Sequence, residues 1–424
     1  MIEQKTELNT EIICLVTSHR SGELIGGVER FVESFSKWLL GNGIRTIIVA
    51  RRLSFLNPVS TSFNDRSSRP FAVKHIKTVQ VPYVGYITYM LSYSLIAALY
   101  IIKLNKKYRF SVIHAQDLNF AGLSAIIAGK ILNIPVVLHS HGPFIYLIRP
   151  KNRIRIIIEI NLNKFVAQQA DRIIATDIIA KNYLLDIGVA EEKVTIIPTA
   201  IKLELFRQKG QNEVSMIRKE IGVSQRDFLL GYVGRLSVEK NVDALIKAFS
   251  HALEGNTHGF KLIIIGDGPE RMRLFRLAEK CNLDKSVIFT GWRTDVQSLL
   301  AAIDVFILPS SIEGVPLSLL EAMASGKAII ASDIPSIRAT VRNGEEAILV
   351  SPCDVEKLKR AILLLYNNSD LRAKLGWKAR ERAKLYDVDR VYGQILNVYE
   401  ELVRCKTKYG TAKKPRNDHD DAKV

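Results

Sequence analysis

Two basic residues, Arg235 and Lys240, lie in the segment VGRLSVEKN, directly after the apolar run 228–234. An arginine can bind two phosphate oxygens in parallel, whereas a lysine acts as a point charge. Gly234 precedes Arg235 and lets the backbone approach a ligand closely, because glycine has no Cβ. The segment favours a diphosphate site, although a loop arginine and lysine are more often ordinary surface residues.

Two glutamates follow in PSSIEGVPLSLLEAMASGKAIIAS, residues 309–332. Glu313 lies in the loop after an apolar run, and Glu321 lies in the helix that Pro316 is expected to open. Carboxylates accept paired hydrogen bonds from sugar hydroxyls, so the two glutamates can hold a hexose and a ribose at either end of one diphosphate. The amino terminus of this helix can bind a phosphate, and it comprises Gly314, Val315, Pro316 and Leu317. A helix cap beside a solvated glutamate is the alternative.

A weaker signal is GDGPE, residues 266–270, which follows another apolar run. Gly266 opens a glycine-rich turn of the kind that approaches a nucleotide. Arg271 stands where the third glycine of G-x-G-x-x-G would be, so the motif is only a fragment. Asp267 can equally serve as a helix cap.

The elements that must position these residues alternate along the chain. Short Ile- and Val-rich runs of the first half are typical of parallel strands buried on both faces, and they span 12–16, 46–50, 112–115, 136–139, 172–175 and 194–198. The segments between them have helical length, at 28–40, 86–107 and 152–169. We therefore expect a Rossmann-like domain over residues 1–198.

The same alternation restarts after a polar linker at 199–226 and predicts a second Rossmann-like domain over 227–385. Its strands are expected at 228–234, 261–266, 287–291, 305–310, 328–332 and 347–350. A helix at 386–405 is expected to pack back on the first domain, before a disordered tail at 406–424. The predicted fold class is α/β, with two doubly wound domains facing a central cleft.

The composition is that of an ordinary globular protein, since 47% of the 424 residues are hydrophobic and 24% are charged. This excludes a fibrous or largely disordered chain, and the length favours two domains. The four cysteines are scattered singly, which fits neither a disulfide framework nor a zinc module and favours a reducing, cytosolic compartment. The amino-terminal residues lack the layout of a secretory signal.

The net charge of +17, from 60 basic and 43 acidic residues, is concentrated in the first half of the chain. Basic clusters at 103–109 and 149–155 border apolar runs, as on a surface that rests on anionic lipid. A solvated face is the alternative. No helix-turn-helix, zinc-finger or RNA-recognition signature is present, so nucleic acid is not an expected partner.

Residues 78–102 carry no charge, and as a helix they are long enough to span about 30 Å of hydrocarbon. Pro82 and Gly85 interrupt the segment early, and its tyrosines prefer a membrane interface to the membrane centre. The sequence leaves open a transmembrane span, a membrane-surface helix and a buried or partly buried helix.

The segments GGVER, GRLSVEKN, GDGP and LLAAIDVFILPSSIEGVPLSLLEAMASGKAIIASD together resemble the retaining, nucleotide-sugar-dependent family 4 glycosyltransferases of GT-B fold. The resemblance is dense over residues 231–333 and looser in the first half. It implies that Arg235 and Lys240 bind the donor diphosphate. The first glutamate, Glu313, would contact the transferred sugar, and the second, Glu321, would bind the ribose.

The resemblance also gives the first domain a role. Gly26 and Gly27 open a helix after the first strand, and in the family this loop closes over the donor phosphates or the acceptor. Two glycines can equally just turn the chain. His141 in HSHGP follows the strand at 136–139 and resembles the position that approaches the sugar at the reaction centre.

Other polar residues are weaker candidates. His139 is expected to face inward, whereas His114 and Asp117 end a neighbouring strand and would face the cleft. Asp387 and Asp389 form a D-x-D that binds a metal in a different glycosyltransferase fold. Here they fall before the last helix, where aspartate caps are common, so no metal site is expected.

The implied reaction moves a hexose from a nucleotide-diphosphate sugar to an acceptor hydroxyl with retention of configuration. Fixed positive charge would stabilise the departing diphosphate, whose oxygen takes the acceptor proton on the same face. No metal or cofactor is expected, and UDP-hexoses and GDP-mannose are the leading donors. The implied catalytic residues are His141, Arg235, Lys240 and Glu313.

The basic, aromatic-rich first half favours a glycan or polyprenyl-diphosphate-linked acceptor at the cytoplasmic face of the cell membrane, in cell-surface polysaccharide or lipopolysaccharide synthesis. A nucleotide-sugar epimerase or phosphorylase on the same fold remains open, as does a catalytically idle membrane-associated scaffold. A dehydrogenase is disfavoured because the first strand-turn, VTSHRSGELIGG, has no compact G-x-G-x-x-G.

Overall fold

A computed structural model describes residues 12–20, 27–52, 72–77, 85–141, 153–254, 259–314 and 316–410. Two predicted site residues, Gly26 and Val315, lie outside the described residues. So do residues 411–424, which make up most of the predicted disordered tail.

The first sheet has seven parallel strands in the order β3-β2-β1-β4-β5-β6-β7. The strands are β1 (Ile12–Arg20), β2 (Arg45–Arg52), β3 (Ala72–Lys77), β4 (Phe110–Ala115), β5 (Val136–Ser140), β6 (Arg172–Ala175) and β7 (Val194–Ile196). The helices between them are α1 (Gly27–Gly41), α2 (Gly85–Tyr108), α3 (Phe120–Leu132), α4 (Arg153–Gln169) and α5 (Ile178–Asp186).

The second sheet has six parallel strands in the order β10-β9-β8-β11-β12-β13. The strands are β8 (Phe228–Val233), β9 (Phe260–Ile265), β10 (Val287–Gly291), β11 (Val305–Leu308), β12 (Ala328–Ser332) and β13 (Ile348–Val350). The helices of this half are α6 (Gln211–Glu220), α7 (Val242–Leu253), α8 (Arg271–Lys280), α9 (Val296–Ala302), α10 (Leu317–Ala324), α11 (Pro335–Thr340), α12 (Val355–Asn367) and α13 (Ser369–Ala383), and the last helix is α14 (Val388–Gly410).

Both sheets reverse their strand order next to the first strand, between β1 and β4 and between β8 and β11. This is the doubly wound Rossmann arrangement, in which ligands bind outside the carboxyl ends of the strands at the switch point. The predicted fold class of two Rossmann-like domains is therefore confirmed.

The strands are apolar on both faces because both faces are covered. In β1, Cys14 and Val16 join the core beneath α2 and α3, whereas Ile13 and Leu15 join the core beneath α1 and α14. All four side chains are fully buried. This two-sided burial explains why the strands appear in the sequence as continuous apolar runs rather than as an alternating pattern.

Apart from shifts of strand ends, an edge strand, a helix in the linker and the end of the last helix differ from the prediction. β3 was not predicted, because its sequence AVKHIK mixes apolar and charged residues and it pairs with β2 at the sheet edge. The expected linker contains α6, which packs against α9. The last helix extends to Gly410 instead of ending at residue 405, since the mixed charge of its final turns still suits a helix.

The last helix packs on the first sheet. Tyr392 and Tyr399 are buried in the core that contains Phe35 of α1. The Trp38 indole N–H donates to Asp389 at 2.7 Å, and Asp387 accepts from the Leu203 backbone N–H at 3.4 Å. Both carboxylates of the D-x-D thus have structural partners.

The uncharged segment forms most of α2, which lies against α3. Tyr93, Ala97 and Ile101 are buried on one side, while Leu95 and Leu99 on the other side are 53% and 66% exposed. Among the helices of the described residues, none is both long and apolar enough to cross a membrane.

Two helix glycines with different surroundings give a matched test of the packing. A Cβ on Gly376 in α13 would lie 2.3 Å from the Gly326 carbonyl oxygen, whereas a Cβ on Gly393 in α14 would meet no neighbour within 4 Å in the described part of the chain. Since alanine is the better helix former, we expect Gly393→Ala to raise the free energy of unfolding by about 0.5–1 kcal/mol. Gly376→Ala should lower it by about 1 kcal/mol or more. Urea denaturation measures both, and equal effects would contradict this packing.

Candidate active site

The segments at the carboxyl ends of β8, β9 and β10 are hydrogen-bonded to one another at the edge of the second sheet. Gly234 donates to the Ile265 carbonyl at 3.0 Å, and Gly266 donates to the Gly291 carbonyl at 2.9 Å. Gly266 has a φ of 140°, and a Cβ there would lie 1.9 Å from the Gly234 carbonyl oxygen. Only glycine fits this close approach, so Gly234 and Gly266 shape the floor of the site.

Lys240 and Glu313 meet above this floor. A short 3₁₀ turn, Val238–Lys240, ends at Asn241, whose side-chain amide donates to the Pro309 carbonyl at 3.2 Å. This contact ties the loop after β8 to the loop after β11. The Lys240 ammonium then donates to Glu313 Oε1 at 2.6 Å, and the Glu313 side chain is only 7% exposed.

Arg235 lies on the same loop as Lys240, and its side chain is exposed. Its backbone carbonyl accepts a hydrogen bond from the buried Tyr232 hydroxyl at 3.0 Å. The backbone is therefore fixed while the guanidinium faces the solvent, where it is available to an anion. The structure thus places both predicted cations on one loop at the carboxyl edge.

Glu321 lies on the buried side of α10. The helix begins at Leu317, so the predicted site residues Gly314 and Pro316 precede the helix rather than forming its first turn. Burial raises the pKa of the Glu321 carboxyl above its ordinary value, and the Arg30 guanidinium, 3.7 Å away, opposes this rise.

Arg30 belongs to α1, so its contact with Glu321 joins the two halves of the chain. A Cβ on Gly27, the first residue of α1, would lie 3.6 Å from Leu317 Cδ1. The amino termini of α1 and α10 therefore lie next to each other, and each carries the positive end of its helix dipole. Arg30 was not predicted, although it is the last residue of the GGVER segment.

His141 directly follows β5, at the carboxyl edge of the first sheet. The pairing of His114 with Val137 places His114, Gln116, His139 and His141 on one face of the first sheet, near its carboxyl edge. His141 is half-buried, and its Nε2 lies 3.2 Å from Gln116 Oε1. Gln116 was not predicted, although its spacing of two from His114 gives it the same face.

The structure places the other first-domain candidates in different surroundings. His139 is buried, as expected. His114 does not face the cleft, because it is fully buried and its Nδ1 lies 2.5 Å from the Tyr399 hydroxyl of α14. Asp117 caps α3, since its Oδ1 accepts backbone N–H groups at 2.9–3.3 Å. Tyr399 could not be found from the sequence, since 285 residues separate it from His114.

This arrangement suits an anionic ligand with sugar-like hydroxyls. Arg235 and Lys240 lie on one loop, Lys240 contacts the carboxylate of Glu313, and Glu321 lies on α10, whose amino terminus is next to that of α1. Within the described ranges, no group of three or more His, Cys, Asp or Glu side chains is arranged to hold a metal ion.

Comparison with known proteins identifies the family. Residues 25–205 match the family described as Glycosyltransferase Family 4, and residues 214–382 match Glycosyl transferases group 1. EpsF of Bacillus subtilis, a putative glycosyltransferase, is 30% identical over 302 residues, which are 68% of this chain and 74% of that relative. The chain belongs to the group 1 glycosyl transferases.

Two further comparisons, with a second curated relative and with a solved structure, are consistent with this family and fold. The UDP-Gal:alpha-D-GlcNAc-diphosphoundecaprenol alpha-1,3-galactosyltransferase of Escherichia coli is 28% identical over 264 residues, 62% of this chain and 67% of that protein. HepE of Anabaena, solved with UDP and glucose, has a TM-score of 0.73 at 21% identity over 92% of this chain and 99% of HepE. This likeness confirms the GT-B fold. Four curated relatives are matched over 54% to 74% of their lengths, so their substrates do not transfer directly to this glycosyltransferase.

The contact between Arg30 and Glu321 predicts a pH-dependent effect of Arg30→Ala. Without the guanidinium, the pKa of Glu321 should rise further, so the variant loses stability only where the carboxyl is ionised. We expect a loss of at most about 1 kcal/mol at pH 7, because Arg30 is exposed, and no loss below the ordinary glutamate pKa. Urea denaturation at both pH values measures this. Arg30→Lys, which keeps the charge, is the control, and an equal loss at both pH values would rule out the ion pair.

Proposed function

We propose that this glycosyltransferase moves a hexose from a nucleotide-diphosphate sugar to an acceptor hydroxyl with retention of configuration and without a metal or other cofactor. The observation that carries the proposal is the contact of Lys240 with Glu313 at the carboxyl edge of the second sheet. It puts a cation for a phosphate and an acceptor for a sugar hydroxyl within one hydrogen bond of each other. Glu321, on helix α10, takes the ribose.

The site must stabilise the negative charge that develops on the leaving group. As the bond from the sugar C1 to the phosphate oxygen breaks, negative charge grows on the diphosphate and positive charge grows on the sugar. Arg235, Lys240 and the amino terminus of α10 stabilise the diphosphate through fixed charges. The acceptor oxygen bonds to C1 on the same face, and its proton passes to the departing phosphate oxygen.

His141 and Glu313 hold the sugar from opposite sides of the cleft. Glu313 is oriented by Lys240, and His141 is oriented by Gln116. Two oriented contacts fix the position of C1 relative to the acceptor, which is the main contribution expected of groups that do not react.

The donor is a UDP-hexose or GDP-mannose, with UDP favoured. HepE, which shares the fold, was solved with UDP-glucose, and the named activity of the Escherichia coli relative uses UDP-Gal. That relative acts on a diphosphoundecaprenol-linked sugar, which supports a polyprenyl-diphosphate-linked acceptor and a role in cell-surface polysaccharide synthesis.

A surface of the first domain, which we call the α2–α4 face, suits an anionic membrane. Its helices α2, α3 and α4 pack in series on one side of the sheet. They expose apolar side chains, namely Leu95, Ile96, Leu99, Ile131, Ile157 and Phe165. Exposed lysines lie on the same three helices, at positions 103, 106, 107, 130 and 164. Apolar residues beside lysines bind the headgroup region of anionic bilayers, so the protein would work peripherally at the cytoplasmic face of the membrane.

A thermal-shift panel of nucleotide sugars tests the donor site. We expect one donor to stabilise the protein, and Arg235→Ala and Glu313→Gln to weaken its apparent affinity by about tenfold or more, because each removes a charged contact. Arg360→Ala removes an exposed arginine of α12 and is the control. If no donor stabilises the protein, the result would favour the catalytically idle scaffold. If the protein converts a nucleotide sugar to its epimer in the absence of an acceptor, the result would favour the epimerase.

The anomeric configuration of the product, determined by NMR, tests whether the configuration is retained.

Vesicle sedimentation tests the α2–α4 face. Wild-type protein should pellet with vesicles that contain anionic lipid, and the double variant Leu95→Glu/Leu99→Glu should bind at least about tenfold more weakly, because two apolar contacts are lost and two negative charges are gained. Leu364→Glu, at an exposed leucine of α12, is the matched control. Binding that is unchanged in the double variant would refute the membrane proposal.

A further inference from the structure

Three histidine rings stack into a column that leads from the cleft into the first domain. The His139 and His141 ring centroids are 4.1 Å apart with 9° between the ring planes, and those of His114 and His139 are 5.4 Å apart with 10°. The Phe31 ring of α1 forms T-shaped contacts with both the His139 and the His141 rings, with ring centroids 4.8 and 5.5 Å apart. The half-buried His141 ring therefore stacks on the buried His139 ring, with the Phe31 ring beside it.

The column is held at both ends. At the cleft, Gln116 Oε1 is an acceptor, so His141 Nε2 donates to it at 3.2 Å. At the inner end, the Tyr399 hydroxyl and His114 Nδ1 form a hydrogen bond of 2.5 Å. Burial raises the pKa of Tyr399, so the phenol stays protonated.

The two buried rings are neutral at physiological pH. Burial, and secondarily the proximity of His141, lowers the pKa of His114 to about 3 and that of His139 well below its ordinary value. His141 thus rests on an uncharged support, which does not repel the positive charge that develops on the sugar.

Stability alone does not explain this column. The same sheet face is apolar one step earlier, at Val112 and Val137, and becomes polar towards the cleft. Within the described residues, three buried atoms of the cluster have no hydrogen-bond partner: His114 Nε2, His139 Nδ1 and Gln116 Nε2. Each unpaired buried polar atom destabilises the fold, and apolar side chains would avoid that cost. Such violations are expected at functional sites.

We propose that Gln116, His139, His114 and Tyr399 are positioning residues that fix the orientation of the His141 ring in the cleft. They form one continuous chain of contacts from His141 to the last helix. None of the four touches the substrate, and each acts through His141. The proposal rests on the proposed function, because His141 is taken to contact the transferred sugar.

A double-mutant cycle tests the chain. Tyr399→Phe removes one hydroxyl and keeps the ring, so we expect kcat to fall by about tenfold with little change in the KM of the donor. In a His141→Ala background the same change should have no further effect on kcat, because Tyr399 then has nothing to orient. Tyr392→Phe, which removes another buried hydroxyl from the same helix, is the matched control and should leave kcat unchanged in both backgrounds.

A second readout separates this proposal from the proposed function. The ring ¹⁵N chemical shifts of His141 should change in Tyr399→Phe and not in Tyr392→Phe, whether or not any donor is turned over. If no donor is used but these shifts change, the positioning chain stands and the proposed function fails. If the loss of kcat persists in the His141→Ala background, or if the His141 shifts are the same in Tyr399→Phe as in wild type, the proposal is wrong.

Discussion

Parallel strand pairing with both sheet faces covered dictates where chemistry can occur in this protein. The strand backbones are paired inside each sheet, and apolar helices cover the faces, so polar side chains gather in the loops at the carboxyl edge. This is why Lys240 and Glu313, 73 residues apart in sequence, share a hydrogen bond. The same constraint places Gln116 beside His141 in the first sheet.

The two glutamates of one loop-and-helix segment have different environments. Glu313 has a charge-assisted hydrogen bond of 2.6 Å to Lys240, which fixes its position before any ligand arrives. Burial raises the pKa of the Glu321 carboxyl, and Arg30 at 3.7 Å is too far away to hydrogen-bond to it. A ribose hydroxyl would supply the hydrogen bond that Arg30 does not. The first carboxylate is thus preorganised, whereas the second gains most from a ligand.

Local signals in the sequence predicted most of the fold and the position of the second-domain candidate residues at strand ends. Continuous apolar runs give buried strands, and the glycine, cation and glutamate positions fall at strand ends. β3 was missed because an edge strand with charged residues lacks such a run. Arg30 and Tyr399 were missed because their partners, Glu321 and His114, come from distant segments that only the tertiary structure brings near. His114 was misplaced because a strand end can face either the cleft or a covering helix.

The path of the chain explains why the last helix supports the first domain. The chain crosses from the first domain to the second near Ile201 and crosses back near Val388. The two crossing segments are hydrogen-bonded to each other. The Ile201 backbone N–H donates to the Tyr386 carbonyl at 2.7 Å, and the Val388 backbone N–H donates to the Ile201 carbonyl at 3.1 Å. Tyr399 lies beyond the second crossing, in the core of the first sheet, where its hydroxyl meets His114 Nδ1, so the last helix supports the first domain although it follows the second domain in sequence.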